Sequence, residues 1–396
     1  MKKVLIVGGG KWQVPITKRC KELNYTVIST NLYEDSPAFQ YADYSYVIDV
    51  LDKEKNLEIA KLHNIDAVLT DQSDIAVTTV AYINEKLNLN LINIKVAMLY
   101  TNKLEMRKKL KLPDLYHPQY KLCKNIKDVK EFYIQLNSNI ILKPLNNQSS
   151  RGVEYISNIQ DIEKAFKRSI QFSKNNLLLA EEFIGGIELT VEGFKYKDSF
   201  HKTFAVSKKT YFKHKIGLAN SLTYQPIFKE FDINILKKIN NKLFDTLQFG
   251  ITHVEYKYYN GKFYLIEAAI RGGGTKISSD IVPIVSGYKV DELLIKTALG
   301  RSIIYKNINY KNKYAILEFF NFTTGRVKDI IGVNKVKNID NIVDIELEFK
   351  IGDLLENPID DRGRFGYYIA FADTINELKK IKKTVKETIQ IIYEAD

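Results

Sequence analysis

Residues 263–274 read FYLIEAAIRGGG, a short apolar run that leads into a single acid, an arginine and three glycines. The aromatic and β-branched residues before Glu267 are typical of a strand. A strand that only filled a core would need neither Glu267 nor Arg271. Taken alone, the stretch also fits an edge strand with a salt bridge. The other motifs of the chain must decide between these two readings.

The length and composition of the chain limit its class. With 396 residues it is too long for one compact core, so we expect two or three domains. The N-terminal apolar run is too short for a signal peptide, and no apolar run approaches the roughly 18 residues that a membrane span needs. Cys20 and Cys123 belong to no zinc or redox spacing. These features predict a cytoplasmic, reduced protein with no membrane partner.

The net charge of +12 raises the question of a nucleic-acid partner. Most of the excess is lysine spread along helix-like stretches such as KKLKL and ELKKIKKTVKE. This spread fits a background composition better than a basic patch. We therefore expect no nucleic-acid partner.

The N-terminal part of the chain alternates apolar strand patterns with amphipathic helix patterns, which predicts a parallel sheet covered by helices. The glycines from Gly8 to Gly10 lie where the first strand turns into a helix, a place where backbone amides can hold an anion. They do not form G-x-G-x-x-G, and the second strand ends at Asn31 rather than at an acid that would hold a ribose. Dinucleotide binding is therefore not expected.

The rest of the chain carries further strand and helix patterns. A helical pattern covers 95–110, and a second unit begins near Tyr120. A hairpin pattern at 252–267 lies between two helical patterns, and short strands and a final helix over 375–393 follow Arg301. No internal repeat or low-complexity linker is visible.

Glu255 and Glu267 flank the Asn260-Gly261 turn signal of this hairpin. Their separation of twelve positions is even, so a regular two-residue turn would place them on opposite faces. A three-residue loop or a bulge would place both carboxylates on one face. Two facing carboxylates suit Mg²⁺ in the presence of phosphate oxygens. The alternative is two solvated acids on a sheet.

Two more stretches carry polar residues at strand ends. In IILKPLNNQSSRGV, residues 140–153, Lys143 closes an apolar strand before a small-residue loop, an arrangement that can hold phosphates although it is not a P-loop. In LLLAEEFIGGIELTVEGF, residues 177–194, acids stand on both sides of a Gly-Gly turn. This second stretch fits either a plain hairpin or a connection whose free backbone groups pair with an adenine edge. Lys103, within Thr101-Asn102-Lys103, fits a solvated face of a basic helix.

Taken in order, these stretches resemble the ATP-grasp superfamily, and the resemblance covers nearly the whole chain. It implies an α/β and α+β multidomain fold that begins with a Rossmann-like parallel-sheet domain over 1–97. An ATP-grasp domain over 98–305 would follow, with a lid at about 115–185 and a larger antiparallel-sheet subdomain. A small C-terminal α/β subdomain over 306–396 would complete the ligase core. ATP would bind between the lid and the larger subdomain.

The resemblance assigns phosphate-binding residues. Lys103 matches the lysine that precedes the lid, and Lys143 matches the lysine of the apolar-Lys-Pro strand. Both would contact the nucleotide phosphates. Ser149, Ser150 and Gly152 match the loop that covers the phosphates, with Ser149 where glycine is common.

The resemblance also assigns a nucleoside-binding hinge. Glu181 and the backbones of Glu182 and Ile184 would contact adenine, and Phe183 completes the Glu-x-aromatic-aliphatic pattern. Glu188 would hold the ribose. The cofactors implied are ATP and Mg²⁺.

Glu255 and Glu267 match the two magnesium acids of the family, and Arg271 matches the arginine that faces the transferred phosphate. The opening stretch is therefore similar to the end of the family's metal-binding strand. One departure is that the usual run, Glu-x-Asn-x-Arg, has Ala269 in place of Asn. A methyl group cannot coordinate Mg²⁺, so either water fills the position or one of two metals is held more weakly.

The resemblance implies an ATP-dependent carboxylate–amine ligase that forms an amide through an acyl phosphate and releases ADP and phosphate. Lys143 and Arg271 would be its catalytic residues, and a small carboxylic acid and an amine its substrates. Three alternatives stay open: a small-molecule kinase, a ligase of the purine-biosynthesis type, and a catalytically weak nucleotide-binding regulator. The regulator is included because Ala269 stands where the family pattern has Asn. A homodimer is the default expectation for the assembly.

Overall fold

The computed structural model describes residues 1–89, 92–145, 150–197, 199–303 and 313–394. Its first unit is a four-stranded parallel sheet with strand order β3-β2-β1-β4, which we call the N-terminal sheet. The predicted parallel sheet covered by helices is thus confirmed. Its strands are β1 (Lys3–Val7), β2 (Thr26–Asn31), β3 (Tyr44–Val47) and β4 (Ala67–Leu69), and its helices are α1 (Val14–Glu22), α2 (Lys53–His63) and α3 (Asp74–Leu87).

The helical pattern predicted over 95–110 is two helices, α4 (Ile94–Leu99) and α5 (Lys103–Lys109). Asn102 separates them because its side chain caps α5, accepting hydrogen bonds from the backbone N–H groups of Leu104 and Glu105. Lys103 is therefore the first residue of a helix and not a residue inside one. The short strand β5 (Leu115–Tyr116) follows.

A second, four-stranded sheet has the order β6-β9-β7-β8, and we call it the lid sheet because it occupies the predicted lid region. A separate hydrophobic cluster that includes Leu142, Ala165 and Leu178 packs its helices against its strands. The elements are β6 (Tyr120–Cys123), α6 (Ile126–Leu136), β7 (Ile140–Pro144), β8 (Glu154–Ile156), α7 (Ile162–Ile170) and β9 (Leu178–Glu182).

The largest sheet, which we call the central sheet, has nine strands in the order β17-β19-β15-β12-β11-β10-β13-β14-β5. Strands from the C-terminal part of the chain extend it through pairing of β15 with β12. Its first strands are β10 (Ile187–Tyr196), β11 (Lys202–Phe212), β12 (Lys215–Tyr224), β13 (Phe249–Tyr259) and β14 (Lys262–Ala269), and the accompanying helices are α8 (Ile233–Leu243), α9 (Val282–Ser286) and α10 (Val290–Ala298).

The C-terminal part supplies three strands to the central sheet and also forms a three-stranded sheet of its own, β18-β16-β20. The predicted final helix over 375–393 is too long, because it ends at Thr388 and residues 390–393 pair with β16 as a strand. The elements are β15 (Tyr314–Phe319), β16 (Gly325–Ile331), α11 (Val333–Lys337), β17 (Ile342–Leu347), β18 (Leu354–Leu355), β19 (Gly366–Ala372), α12 (Ile375–Thr388) and β20 (Gln390–Tyr393).

The N-terminal sheet and the central sheet share one hydrophobic core. Val4 and Ile6 of β1 belong to the same buried cluster as Phe212 of β11 and Leu222 of β12. Helix α10 packs against both β4 and β13, and this packing holds the carboxyl end of β4 close to the central sheet. None of the helices among the described residues is both long and apolar enough to cross a membrane.

Candidate functional site

A cavity of about 610 Å³ lies where the lid sheet, the central sheet, the N-terminal sheet and the C-terminal strands meet. Most residues assigned from the sequence line it. Gly152 stands between two lining residues, and Ser149 lies outside the described residues. The lining residues assigned beforehand are Lys103, Lys143, Ser150, Glu181, Glu182, Phe183, Ile184, Glu188, Glu255, Glu267 and Arg271.

The two acids of the hairpin lie directly opposite each other, because Glu255 pairs with Glu267. Asn260 and Gly261 form a two-residue turn with positive φ angles of 47° and 74°. The register shifts beyond Glu255, where Tyr256 pairs with Leu265 and Ile266 becomes the extra residue of a bulge. This bulge, rather than a longer loop, brings both carboxylates to one face. We call β13 and β14 with this bulge the metal ribbon.

The carboxylates of the metal ribbon suit a hard divalent cation. Both side chains are partly open to the cavity, at 21% and 25% exposure for Glu255 and Glu267. Lys209 Nζ lies 2.9 Å from Glu255 Oε1, and Lys103 Nζ lies 3.3 Å from Glu267 Oε1. Burial opposes ionisation of Glu255, but Lys209 and His253 outweigh it and hold the pKa of that carboxyl well below its usual range. Two facing carboxylates of this kind are chemically fitted to Mg²⁺.

His253 stands opposite Ala269, the position where the family pattern has Asn. Its Nδ1 lies 2.7 Å from Glu192 Oε1, and its Nε2 lies 3.7 Å from Glu255 Oε1. Burial disfavours the charged imidazole, but the two carboxylates raise the pKa of His253 to about 9. Within the described ranges, no group of three or more His, Cys, Asp or Glu side chains is already arranged around a metal position.

Lys143 is the penultimate residue of β7 and is almost fully buried. Its Nζ lies 2.5 Å from Glu181 Oε2, and the other oxygen of Glu181 accepts a 2.7 Å hydrogen bond from Nε of Arg107. Burial alone would raise the pKa of Glu181, but these two cations lower it to about 2. Burial also lowers the pKa of Lys143, with Glu181 acting against that shift. Both oxygens of Glu181 are therefore engaged by cations inside the protein.

The described part of the loop after β7 turns sharply toward the cavity. Ser150 and Gly152 both have positive φ angles, 55° and 71°, and Ser150 Oγ donates to the carbonyl of Gly217 at 3.3 Å. A Cβ on Gly152 would lie 2.9 Å from the ring of Phe172. Glycine is required there because both the backbone conformation and the space exclude a larger residue.

The connection from Glu181 to Glu188 is not a hairpin, because β9 belongs to the lid sheet and β10 to the central sheet. The backbone N–H of Glu182 donates to Gln119, and that of Phe183 donates to Asn139. Gly186 has a φ of 78°, and a Cβ there would lie 2.3 Å from the carbonyl of Tyr258. The segment therefore joins two sheets along the cavity wall.

Glu188 is the second residue of β10 and forms ion pairs with two lysines of neighbouring strands. Lys209 Nζ lies 2.8 Å from one carboxylate oxygen, and Lys257 Nζ lies 3.1 Å from the other. Burial opposes protonation of Lys209, but Glu188 and Glu255 raise its pKa above the usual range. Lys209 thus bridges the candidate ribose acid and the metal ribbon.

Arg271 is held by a residue of the N-terminal domain. Its Nε and Nη2 donate to the two oxygens of Asp74 at 3.0 and 2.7 Å, and Nη1 donates to the carbonyl of Gly272. Burial acts against these charges, but the pairing raises the pKa of Arg271 and lowers that of Asp74. A guanidinium has five N–H groups, so two remain to meet a ligand in the cavity.

The loop after Arg271 is fastened to the same N-terminal segment. Asp71 Oδ1 accepts from the backbone N–H of Gly272 at 2.9 Å, and Asp71 Oδ2 accepts from Ser278 Oγ at 2.9 Å. Gln72 accepts from the N–H of Lys276. Burial raises the pKa of Asp71 to about 6. Residues 71–74, which we call the clamp segment, thus set the position of the glycine-rich loop.

The opposite end of the cavity is formed by the first β–α turn and the C-terminal strands. Lys11 pairs with Glu346 and Glu348, and the rings of Trp12 and Tyr367 meet edge to face at 5.9 Å between centroids. The guanidinium of Arg364 lies 3.6 Å from the ring centre of Phe319. This end therefore combines aromatic walls with charged groups.

Sequence reasoning missed the partners of the assigned residues. Arg107, Lys209, Lys257, His253 and Asp74 all contact assigned side chains. Only Arg107 had a local signal, since it stands four residues after Lys103 and shares its helix face.

Comparison with known proteins identifies two families of domain in the chain. Residues 136–280 match the family model of the ATP-grasp domain. Residues 318–394 match the family model of the L-amino acid ligase C-terminal domain 2.

Curated relatives and solved structures agree with these matches. Formate-dependent phosphoribosylglycinamide formyltransferase of Sulfurisphaera tokodaii is 27% identical over 204 residues, which are 50% of this chain and 51% of that protein. The matched region thus spans about half the length of this relative. L-amino acid ligase from Bacillus licheniformis has a TM-score of 0.84 at 19% identity, covering 100% of this chain and 99% of that one.

A second structure, phosphoribosylglycinamide synthetase from Anaerococcus prevotii, has a TM-score of 0.74 at 20% identity, covering 99% of this chain and 100% of that one. At these identities the structural likeness establishes the fold. The arrangement expected from the motifs, a parallel-sheet domain followed by an ATP-grasp core and a small C-terminal unit, is confirmed.

Proposed function

We propose that this chain, which belongs to the ATP-grasp superfamily, is an ADP-forming ligase that joins a small carboxylic acid to an amine. The observation that carries the proposal is the pairing of Glu255 with Glu267 on one face of the metal ribbon, in one cavity with Lys103, Lys143 and Arg271. An acid pair with three cations around it suits a magnesium–triphosphate group.

We assign the nucleotide to the side of the cavity next to the lid sheet. The connection from Glu182 to Ile184 would meet adenine, and Glu188 would hold the ribose. Lys103, Lys143 and the loop through Ser149, Ser150 and Gly152 would hold the phosphates. A Mg²⁺ ion on Glu255 and Glu267 would neutralise the oxygens of the transferred phosphoryl group.

We propose that the reaction proceeds in two steps. A carboxylate oxygen of the acid attacks the γ-phosphorus in line, which breaks the bond to ADP and forms an acyl phosphate. Lys143 supplies positive charge to the transferred group. The amine then attacks the acyl carbon, phosphate leaves and the amide forms. The two remaining N–H groups of Arg271 would stabilise the tetrahedral oxyanion and the departing phosphate.

We propose amino acids as the first substrate class to test, for two reasons. The C-terminal segment matches the model of an L-amino acid ligase domain, and aromatic and charged residues share the end of the cavity away from the hinge. Ligases of the purine-biosynthesis type are the second candidate, because the curated relatives act in that chemistry by name. The substrates in either case are small molecules.

The experiment that tests the proposal is a screen of ADP release against a matrix of carboxylic acids and amines. Hydroxylamine added without the amine should trap an acyl phosphate as a hydroxamate. ADP formation without a hydroxamate would indicate a kinase instead. Nucleotide binding without ADP release for any combination of acid and amine would indicate a regulator. This outcome is considered because Ala269 replaces the Asn of the family pattern. A homodimer and a cytoplasmic location stay predictions.

A further inference from the structure

Arg107 lies behind the cavity wall and was assigned no role by the motifs. It stands on α5 four residues after Lys103, and its side chain has 0% exposure. Lys103 reaches Glu267 from the same helix. Helix α5 thus carries two cationic side chains at the site: Lys103 lines the cavity, and Arg107 lies buried behind the cavity wall.

The two hydrogen bonds of Arg107 connect separate parts of the site. Its Nε donates to Glu181 at 2.7 Å, and the other oxygen of Glu181 binds Lys143. Its Nη2 donates to the carbonyl of Ile266 at 2.7 Å. Ile266 is the extra residue of the bulge, which determines that Glu267 faces Glu255. The same guanidinium therefore contacts Glu181, which pairs with Lys143, and the backbone of the bulge that orients Glu267.

A role in stability alone does not account for this residue. Burying a guanidinium is costly unless all of its donors are paired. Nη1 of Arg107 is buried and makes no hydrogen bond to the part of the chain that the structure describes. An apolar side chain would fill the same space without this cost. The presence of Arg107 is therefore better explained by the two groups that its guanidinium holds in place, Glu181 and the carbonyl of Ile266.

We propose that Arg107 is a positioning residue that fixes the distance between the phosphate-binding lysine and the magnesium acids. The inference rests on the proposed ATP-dependent function. The guanidinium is planar and rigid, so its Nε and Nη2 hold the carboxylate and the carbonyl in one fixed relation. The lid sheet, through Glu181, and the metal ribbon, through Ile266, are thereby held in register.

Two variants separate the two contacts. Arg107→Met removes both hydrogen bonds at similar side-chain length. Arg107→Lys places one ammonium near the guanidinium carbon, where the ion pair with Glu181 outcompetes the contact with the neutral Ile266 carbonyl. Arg19→Met is the matched control, because Arg19 also pairs a carboxylate, Asp291 at 3.1 Å, away from the cavity lining. Circular dichroism and thermal unfolding establish that each variant is folded.

Two binding measurements are made on the full chain without turnover. Calorimetry gives the affinity for ADP in the presence of Mg²⁺, and electron paramagnetic resonance gives the affinity for Mn²⁺ in the presence of ADP. Loss of a residue that orients metal ligands costs about 10- to 100-fold in metal affinity. We expect Arg107→Met to weaken both affinities by such factors. We expect Arg107→Lys to weaken Mn²⁺ binding while ADP affinity stays close to wild type.

The results distinguish the inference from the proposal beneath it. If wild-type protein binds neither ADP nor Mn²⁺, the proposed function itself fails. If wild type binds both and Arg107→Lys binds Mn²⁺ as tightly as wild type, the coupling through Ile266 is wrong. Should Arg107→Met not fold, Arg107→Lys alone carries the test. If Arg19→Met shows the same losses as the Arg107 variants, the effect is general destabilisation and the inference is overturned.

Discussion

Replacement of Asp74 by Asn tests whether the N-terminal domain takes part in catalysis. Asp74 begins α3 and holds Arg271 through two hydrogen bonds, at 3.0 and 2.7 Å. The side chains are only 17% and 13% exposed, so water screens the pair weakly. Asn keeps one acceptor for the guanidinium but loses the second acceptor and the charge. The variant should therefore leave Arg271 free to rotate away from the reacting group.

The expected loss follows from these contacts. A hydrogen bond to a charged group contributes about 1.5–3 kcal/mol, so losing one of two should weaken the hold on Arg271 by about 2–3 kcal/mol. If the whole loss appears in the transition state, kcat falls roughly 30- to 150-fold, because each 1.36 kcal/mol is a factor of ten. KM for ATP should change little, since Asp74 bonds to Arg271 and not to a residue assigned to adenine or ribose.

The assay is steady-state ADP release at saturating acid and amine, with thermal unfolding as the check on folding. Asp66→Asn is the matched control, because Asp66 pairs with Lys2 at the surface of the same domain, where exposed pairs contribute about 0–1 kcal/mol. The pKa of Asp74 is lowered in the fold, so the stability that the pair contributes is fully present above the unfolded pKa of about 3.9 and is lost as the pH falls through the lower folded pKa. Its effect should be constant through neutral pH. A folded Asp74→Asn enzyme with wild-type kcat would refute the role given to Asp74.

Three further predictions concern the same site. Glu267→Ala should abolish ADP release while the protein stays folded, because one carboxylate of the acid pair is gone; normal ADP production would remove the metal assignment. Arg271→Lys should lose most activity in the same assay, since a point charge cannot replace a planar fork, and a kcat near that of wild type would contradict this. Asp71→Asn should remove a pH dependence of the stability, because burial raises the pKa of Asp71 to about 6 and the charged form is disfavoured in the fold. Relative to the variant, wild type should lose about 2–3 kcal/mol of unfolding free energy between pH 4 and pH 7, and parallel stability curves in urea titrations would show this reasoning to be wrong.

Local signals predicted the helices of the N-terminal part. Helices α2 and α3 belong to the amphipathic patterns that alternate there with strand patterns. Asp52 caps the start of α2, and Asn64 and Asn88 end the two helices in the left-handed conformation. The break between α4 and α5 was missed although Asn102 is a strong cap, because the apolar pattern continues across it.

Long-range pairing escaped prediction because no sequence signal carries it. The sequence could not decide whether Glu255 and Glu267 share a face, since the answer depends on one bulge at Ile266. The cations that bind the assigned acids come from distant strands, as Lys209 does for Glu188 and Glu255. The clamp segment and Arg271 are about 200 positions apart in sequence. Strand β20 was read as helix because its apolar residues continue the pattern of α12, and only pairing with β16 makes it a strand.

The hydrophobic core shared by the N-terminal and central sheets limits how this protein can be engineered. A fragment that begins after residue 97 would uncover the side of α10 that packs against α1 and β4, in addition to losing Asp74. Chimeras that exchange the N-terminal unit between related enzymes must therefore transplant its inward-facing side chains together with the clamp segment. The lid sheet, whose apolar cluster is its own, is the better unit to exchange.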